Sequence, residues 1–479
     1  MSLNEEKTDV TVENADKGNE SRIITRRQFV SGAAAVTAGV MGMPLILRAQ
    51  GANKKLNIAF VGTGGRAGAH VNAGEFKEHN YVAFADVDKN NWKDILKIAP
   101  NAKGYTDYRK MLDAHMKEID VLIVATPDHT HALPSLHAIR EGKHVYCEKP
   151  LTWSIQESRL MEQFTAAKKV ATQMGNQGHA NSGNRRVVEW VRAGVIGDIT
   201  EVHTWTNRPV WDSQGITERP PTKPVPENLD WDSWIGPAPY RDYHEKLHTF
   251  AWRGWQEFGC GAVGDMGCHS WDCVFWALQP DYPSQVELLR IEGPGGKETF
   301  PRKTHFKWHF PAKGGRKPFV AHWYSGGFKP PVPEEFLNDP VRKNGDKLPE
   351  LPISGNIFIG TKGKFIVTGD YADSGPRMMP DALNKEIQRP EQTIPPSPGH
   401  YREFLLAATG EKPWDYPGSN FAGYAAPLTE VMLIGAIAEK IGEVGFKIDC
   451  NPEKREIVTP LAQTYWGREY RKGWELPKL

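Results

Sequence analysis

The sequence predicts an α/β protein whose N-terminal part forms a doubly wound parallel sheet, and three observations support this fold class. Short apolar runs alternate with helical stretches between residues 54 and 176, as in successive βαβ units. The first run, at 56–61, leads directly into a glycine-rich turn at 62–68. The second run, at 81–86, ends in an acid, Asp86. This combination indicates a nucleotide-binding Rossmann domain over residues 54–176.

The same alternation continues after the second run and supplies the remaining elements of this domain. The predicted strands lie at 120–126, 144–147 and 170–175, and the predicted helices lie at 131–141 and 156–168. Two C-terminal helices, near 399–405 and at 422–441, are rich in Leu, Ile and Ala. Their composition indicates packing, so we assign them no chemistry.

The turn at 62–68 has the composition that a dinucleotide site requires. Glycines allow the backbone to turn tightly and to approach a pyrophosphate, whose negative charge the following helix N-terminus favours. The spacing is a variant of G-x-G-x-x-G, carried by Gly62, Gly64 and either Ala67 or Gly68. Asp86 lies 22 residues after Gly64, where a carboxylate accepts hydrogen bonds from ribose hydroxyls and repels a 2′-phosphate. We therefore predict NAD as the cofactor in preference to NADP.

The charge balance excludes some function classes. The 479 residues include 59 Lys+Arg and 58 Asp+Glu, so the formal net charge is +1. A nucleic-acid-binding protein usually shows a basic excess on one face, and a membrane-surface protein usually shows a polybasic stripe. Neither pattern is present, so we expect no nucleic-acid partner. Five cysteines in a chain of this length do not imply a disulfide framework.

The first 53 residues are predicted to be a leader and an export signal. A polar stretch ends at Arg26-Arg27, and an uncharged run rich in Ala, Gly and Val follows from Val30 to Leu47. The paired arginines resemble a twin-arginine (Tat) signal, which implies a periplasmic protein. Two alternatives stay open, a membrane anchor and an N-terminal helix, although glycines and Pro44 interrupt the run. We expect no stable membrane span after signal cleavage.

Two motifs further along the chain resemble one known family. A-T-P-D-H-T-H stands at 125–131, and G-K-H-V-Y-C-E-K-P-L stands at 142–151. This pair is similar to the glucose–fructose oxidoreductase, inositol dehydrogenase and MocA-type family (Gfo/Idh/MocA), in which the E-K-P segment is highly characteristic. The resemblance extends through G-D-I at 197–199 and through 261–272, and it is weaker beyond residue 290.

The resemblance implies a second domain and a substrate class. Family members follow the Rossmann domain with a C-terminal α/β domain, here 177–479, that has an open, mostly antiparallel sheet. They oxidise or reduce sugars, cyclitols or related polyols with a bound nicotinamide. The second sheet also supports oligomer contacts in the family, so we expect a homo-oligomer.

The resemblance also implies three catalytic residues: Lys149 of the E-K-P segment, and Asp265 and His269 of a D-x-x-x-H pair. An ammonium near an alcohol stabilises developing alkoxide character. Residues i and i+4 share one helical face, so Asp265, His269 and Asp272 (i+7) are predicted to form one polar stripe. A histidine of near-neutral pKa suits a general base, and Asp265 can orient substrate or imidazole or raise the imidazole pKa.

The predicted cofactor-binding set combines the glycine turn, Asp86 and the two family motifs. Its members are Gly62, Gly64, Gly65, Arg66, Ala67, Gly68, Asp86, Thr126, Pro127, His129, His131, Glu148 and Lys149. His129 and His131 are expected to line the nicotinamide pocket or to cap the turn. No metal site is predicted, because Cys260, Cys268 and Cys273 lack the C-x₂-C spacing of structural zinc sites.

Three functions remain open at this point. The leading one is an exported NAD-dependent oxidoreductase that acts on a sugar, glycoside or polyol hydroxyl. The second is a glycosidase that oxidises its substrate transiently, eliminates the aglycone, adds water and reduces the ketone again. The third is a non-catalytic sugar-binding protein that retains NAD. Tryptophans are concentrated between 201 and 280, where packing and a substrate wall or lid are both possible uses.

Overall fold

The structure is a computed structural model that describes residues 55–339 and 350–479. The predicted export signal therefore lies outside the described residues.

The first sheet has six parallel strands in the order β3-β2-β1-β4-β5-β6. Its strands are β1 (Asn57–Val61), β2 (Asn80–Ala85), β3 (Lys103–Tyr105), β4 (Val121–Val124), β5 (His144–Cys147) and β6 (Thr172–Met174). Its helices are α1 (Arg66–Val71), α2 (Gly74–Lys77), α3 (Trp92–Ile98), α4 (Tyr108–His115), α5 (Ala132–Arg140) and α6 (Ile155–Lys168). The strand order reverses between β1 and β4, which is where doubly wound sheets bind their ligands. The predicted fold class is confirmed.

The strands that the sequence predicts are those with two buried faces. All four residues of β4 are buried, and β1 is buried except for its first residue. Such strands read as continuous apolar runs. Strand β3, within the segment 92–115, could not be predicted because it is only Lys-Gly-Tyr and has no apolar run.

The second sheet has nine strands in the order β13-β12-β11-β7-β10-β9-β8-β14-β15. It is antiparallel except where β10 pairs with β7 in parallel. Its strands are β7 (Ile199–Trp205), β8 (Gln285–Glu292), β9 (Lys303–Phe310), β10 (Phe319–Tyr324), β11 (Gly355–Gly360), β12 (Gly363–Thr368), β13 (Arg377–Met379), β14 (Lys447–Asn451) and β15 (Glu456–Ile457). This mostly antiparallel sheet confirms the second architecture that the resemblance implied.

Helices cover one face of this second sheet. The helices after residue 177 are α7 (Ser182–Arg192), α8 (Trp231–Ile235), α9 (Gly261–Ser270), α10 (Asp272–Leu278), α11 (Glu334–Leu337), α12 (His400–Ala408), α13 (Ala426–Ile441) and α14 (Pro460–Gln463). A Cβ on Gly435 of α13 would lie 2.6 Å from the ring of Phe306 on β9, so helix and sheet approach closely there. We call this helix-covered side the inner face of the second sheet.

Among the described residues, one helical segment is long and apolar enough to cross a membrane, Phe421–Ile441. Within the fold 78% of an 18-residue window of this segment is buried, as expected for a core helix. It contains α13 and a π-helical turn, Phe421–Ala425.

Helix α12 comes from the C-terminal part of the chain but packs on the first sheet. Phe404 and Leu405 belong to the same apolar cluster as Ile58 and Phe60 of β1. The ring of Phe404 lies 5.9 Å from that of Tyr146 on β5. Residues near the C-terminus therefore complete the core of the nucleotide-binding part.

Candidate active site

A cavity of about 510 Å³ opens where the strand order of the first sheet reverses. The turn after β1, the end of β2 and the turn after β4 form its walls on the Rossmann side. Of the predicted cofactor residues, it is lined by Gly62, Gly64, Gly65, Arg66, Asp86, Thr126 and Pro127. We call this the large cavity.

The glycines in the turn after β1 are required by close contacts. A Cβ on Gly62, whose φ is +90°, would lie 2.6 Å from the carbonyl oxygen of Ala125. A Cβ on Gly64 would lie 2.3 Å from the side chain of Asn91. Side chains at these positions would therefore displace the turn that forms the cavity wall.

Asp86 fixes this turn from the end of β2. Its carboxylate accepts hydrogen bonds from the backbone N–H of Thr63 at 2.8 Å and from that of Gly64 at 3.2 Å. The second oxygen accepts one from the N–H of Asp88 at 2.9 Å. The side chain is buried yet lines the large cavity, so it both holds the glycine turn and presents negative charge to a ligand.

The other predicted cofactor residues do not line the large cavity. Ala67 and Gly68 lie in the first turn of α1, behind the wall. His129 is buried and donates a hydrogen bond from Nε2 to the carbonyl of Trp234 at 3.0 Å. His131 is buried between two carbonyls, with Nδ1 2.8 Å from Pro150 O and Nε2 2.8 Å from Thr126 O. The two histidines therefore fix the loops that form the site, and neither lines it.

A second, small cavity of about 200 Å³ adjoins the large one. The two share wall residues, which are Arg66, Ala125, Thr126, Phe250, Trp252 and Arg253. Lys149, Asp265 and His269 all line the small cavity, as does Glu148. The structure thus brings the three predicted catalytic residues together beside the large cavity.

Lys149 and Asp265 form a buried ion pair. The Nζ of Lys149 donates to Oδ1 of Asp265 at 2.8 Å and to the main-chain carbonyl of the same residue at 2.7 Å. Arg253 donates from Nε to the same carboxylate oxygen at 3.1 Å. Burial opposes ionisation of Asp265, but Lys149 and Arg253 outweigh it and hold the pKa of that carboxyl well below its usual range.

His269 lies on α9 one turn after Asp265, and its ring packs edge-on against Tyr371 at 4.7 Å. Burial, together with the nearby charge of Lys149, lowers the pKa of His269 to about 3. The expectation of a near-neutral pKa is therefore wrong, because desolvation and a neighbouring cation outweigh the charge of Asp265. At neutral pH the ring is an uncharged imidazole, which can accept a proton.

Glu148 anchors the other side of the small cavity. Its carboxylate accepts hydrogen bonds from Arg66 Nε and Gln177 Nε2, both at 3.0 Å, and lies 2.9 Å from His70 Nε2. Burial opposes its ionisation, but His70, Arg66 and Lys149 keep the pKa of Glu148 well below its usual range. Glu148 thus holds Arg66, which lines both cavities, in place.

The predicted polar stripe on one helix is wrong at Asp272. The chain leaves the helix at Trp271, and Asp272 begins the separate helix α10. Its buried carboxylate binds Asn176 at 3.0 Å and His179 at 3.1 Å, away from the small cavity. Asp272 therefore supports the loop that carries Gln177 and does not join Asp265 and His269.

Several wall residues were not predicted from the sequence. Asp128 lines the small cavity, and burial, partly offset by Arg253 and Lys149, raises its pKa to about 7. Arg208 and Arg253 line it from a long loop that has no recognisable motif. Asp128 stands within the quoted T-P-D-H motif, which is the one signal that could have identified it.

Four of the tryptophans pack together, and two of these also line a cavity. Trp231, Trp234, Trp252 and Trp255 belong to one buried cluster, in which the rings of Trp231 and Trp234 stack at 4.6 Å. Trp234 and Trp252 also line the large cavity. The loop region is therefore a small core whose surface forms part of the cavity wall.

Comparison with known proteins identifies the family. Residues 56–176 match the model described as an oxidoreductase family with an NAD-binding Rossmann fold. Residues 186–298 match the C-terminal alpha/beta domain of the same oxidoreductase family. The chain belongs to the Gfo/Idh/MocA oxidoreductase family, and its N-terminal domain is an NAD-binding Rossmann domain.

Two relatives with different activities are similar to parts of this chain. Glucose-6-phosphate 3-dehydrogenase of Bacillus subtilis is 31% identical over 119 residues, which are 25% of this chain and 33% of that protein. Alpha-N-acetylgalactosaminidase of Shewanella oneidensis is 25% identical over 206 residues, which are 37% of this chain and 44% of that protein. The matched segments thus span less than half of these relatives' lengths.

Among solved structures, the fold resembles the WlbA dehydrogenase from Bordetella pertussis, solved in complex with NADH and UDP-GlcNAcA. The TM-score is 0.55 with 15% identity, over 83% of this chain and 99% of that one. The residues of the large cavity fit NAD, because three glycines of the turn and a carboxylate at the end of β2 line it. Gly62, Gly64, Gly65 and Asp86 would hold the cofactor there.

We expect Asp86→Ala to weaken NAD binding relative to NADP binding by about tenfold or more. Hydrogen bonds to a charged group contribute about 1.5–3 kcal/mol, and only NAD offers the free 2′-hydroxyl. The ratio of the two dissociation constants, measured by titration calorimetry, cancels any general loosening of the glycine turn. Asp94→Ala removes an exposed acid on the neighbouring helix α3 and should leave the ratio unchanged. An unchanged ratio for Asp86→Ala would contradict the assignment.

We expect His269→Gln to reduce the loss of stability in acid. In the unfolded chain a histidine binds a proton near its ordinary pKa of about 6.5, whereas folded His269 stays neutral down to about 3. The free energy of unfolding therefore falls as the pH drops from the unfolded value towards the folded one. Between about pH 7.5 and pH 5 the melting temperature should fall less in His269→Gln than in the wild type. Parallel curves would show that folding does not lower the pKa of His269.

Proposed function

We propose that the protein is an NAD-dependent oxidoreductase that acts on a hydroxyl of a sugar, glycoside or polyol. The observation that carries the proposal is the position of Lys149 and His269. They line the small cavity, which shares wall residues with the large cavity, whose residues fit NAD. A substrate hydroxyl in the small cavity would thus lie between the proton-handling residues and the cofactor.

Each residue has a chemical task in this proposal. NAD, when bound, supplies the acceptor and donor of hydride. Lys149 donates a hydrogen bond to the substrate oxygen and stabilises its developing negative charge. Two of its three N–H groups bind Asp265, so the ammonium is held in place while one N–H remains for substrate. His269 takes the hydroxyl proton as hydride leaves, and the carboxylates of Glu148 and Asp265 favour the charged ring against burial and Lys149.

A second candidate function is a glycosidase with a closed redox cycle. Transient oxidation of the substrate would be followed by elimination of the aglycone, addition of water and re-reduction, without net redox change. The similarity to alpha-N-acetylgalactosaminidase over 206 residues favours this alternative. A closed cycle also suits an exported protein, because no free NAD pool is expected outside the cytoplasm.

Export and assembly belong to the same proposal. The paired arginines Arg26 and Arg27 followed by the uncharged run support transport by the Tat route to the periplasm. That route carries folded proteins, so the cofactor can be bound before transport. The homo-oligomer expected from the family resemblance is proposed to form through the second sheet.

The decisive experiment uses the purified mature protein. Retained nicotinamide is identified by mass spectrometry, and free sugars and aryl glycosides are then screened as substrates. Growth of the reduced-nicotinamide absorbance supports the dehydrogenase, whereas aglycone release without net NADH supports the glycosidase. Lys149→Met should lower kcat by about 10²–10³-fold in whichever assay is positive, because the developing oxyanion loses its cation.

Lys168→Met is the matched control, since Lys168 is an exposed lysine at the end of α6. It should keep wild-type turnover. Full activity in both Lys149→Met and His269→Gln would refute the catalytic assignment. Absence of any turnover in the wild type, with sugar binding retained, would instead favour the non-catalytic sugar-binding protein.

The export proposal has a separate test. Replacing Arg26 and Arg27 together by lysine should leave the protein in the cytoplasm, because the pair is the recognised part of a Tat signal. Cell fractionation and immunoblotting measure the distribution. Arg22→Lys, just before the pair, is the control and should not affect transport. Unchanged export of the double variant would refute the Tat route.

A further inference from the structure

Three polar side chains meet on the outer face of the second sheet, the side opposite the covering helices. Glu201 and His203 lie two residues apart on β7. His322 lies directly opposite His203 on the adjacent strand β10. Residues two apart on a strand point to the same face, which brings the three side chains together. Val202 and Ala321, the intervening residues, point into the core.

The potential ligand atoms of this group converge. Oε1 of Glu201 lies 2.9 Å from Nε2 of His203 and 3.3 Å from Nε2 of His322. All three ligand atoms lie within 4.8 Å of one another. Zn²⁺ with bonds of about 2.0–2.1 Å needs tetrahedral ligand atoms about 3.3 Å apart, and the distances of 2.9 and 3.3 Å from Glu201 to the two imidazoles are close to this value.

Each histidine is oriented by a partner on its other ring nitrogen. Nδ1 of His203 lies 3.0 Å from the hydroxyl of Tyr324, and Nδ1 of His322 lies 3.0 Å from Nε2 of His305. His305 in turn stacks on Tyr324 with ring centroids 4.0 Å apart. Histidines that bind metals are typically held in this way, with the second nitrogen fixing ring orientation and tautomer.

The cluster is accessible and separate from the active site. In the single chain the Glu201 side chain is 38% exposed, whereas those of His203 and His322 are 10% and 15% exposed, so an ion could enter from solvent before subunits assemble. None of the three residues lines either cavity. Helices α9 and α13 lie on the other face of the sheet, where the Ser270 carbonyl accepts a hydrogen bond from Asn356.

We propose that Glu201, His203 and His322 form a zinc site on the outer face of the second sheet. Two imidazoles and one carboxylate, with a water molecule or a ligand from another copy as the fourth group, make a set that suits Zn²⁺. Mg²⁺ and Ca²⁺ prefer all-oxygen ligands and are not expected to bind. The position is outside both cavities, so the ion would take no part in the proposed redox chemistry.

The test uses the full mature chain, purified without a histidine tag and stripped with a chelator. After equilibration with Zn²⁺ and removal of the excess, elemental analysis should find one bound zinc per chain. Glu201→Gln, His203→Ala and His322→Ala should lose it. Co²⁺ loaded into the wild type should give the visible absorption of a tetrahedral nitrogen- and oxygen-ligated ion, which Mg²⁺ cannot mimic.

Variants of the two orienting residues test whether the cluster binds zinc as a metal site does. Tyr324→Phe and His305→Asn should weaken Zn²⁺ binding by about ten- to a hundredfold, as loss of an orienting partner does in known sites. His309→Ala removes another histidine from the same face of β9 and should bind zinc as the wild type does. Circular dichroism of each stripped variant confirms that it has folded.

Either of two results for zinc retention would overturn the proposal. Without a metal, the two histidines can donate hydrogen bonds from Nε2 to Glu201 and form a closed polar network. In that case the wild type would retain no more zinc than Glu201→Gln. Zinc retained equally by the wild type and all three ligand variants would also refute it, because the ion would then lie elsewhere.

Discussion

The buried ion pair between Lys149 and Asp265 joins the two parts of the molecule at the point where the chemistry is proposed. One partner follows β5 of the Rossmann sheet, and the other lies on α9, which packs beside the second sheet. Removing one partner of a buried ion pair typically costs about 3–5 kcal/mol, because the other charge remains in a medium of low polarity. The contact that positions the ammonium is therefore also a contact that fixes the two domains relative to each other.

The surrounding charges are arranged around this pair. Arg253 shares the carboxylate of Asp265, and on the opposite side Glu148 binds Arg66 and approaches His70. Lys149, Arg253 and Arg66 each have a carboxylate within hydrogen-bonding distance, which is the condition for keeping ionised groups inside a protein. His269 has no such partner among the described residues, and burial together with the charge of Lys149 keeps it uncharged. The site thus combines paired charges with two groups of shifted pKa, Asp128 and the neutral His269.

Much of this arrangement could be predicted from local sequence. β1 and β4 are apolar runs because both of their faces are buried, and the E-K-P segment and the spacing of Asp265 and His269 are local patterns. Partners distant in sequence could not be predicted. That Asp265 pairs with Lys149, 116 residues earlier, depends on how the domains pack. The same limit explains the error at Asp272 and the missed residues Asp128 and Arg253.

The sequence also does not predict that the histidines on the outer face of the second sheet lie together. His203, His305 and His322 come from three strands, and no sequence spacing relates them. The strand register of β7, β10 and β9 brings them together, through the pairs His203 with His322 and Tyr324 with His305. Alternation along each strand is readable in the sequence, but the choice of neighbouring strand is a property of the whole sheet.

The packing of helix α12 on the first sheet affects when the core of that sheet can be completed during translation. The nucleotide-binding strands are complete by residue 174, yet their apolar face is covered by Phe404 and Leu405. During translation, more than two hundred residues must follow the last of these strands before that face is buried. The cluster around Ile58 and Phe60 is therefore complete only when these residues of the C-terminal region have left the ribosome.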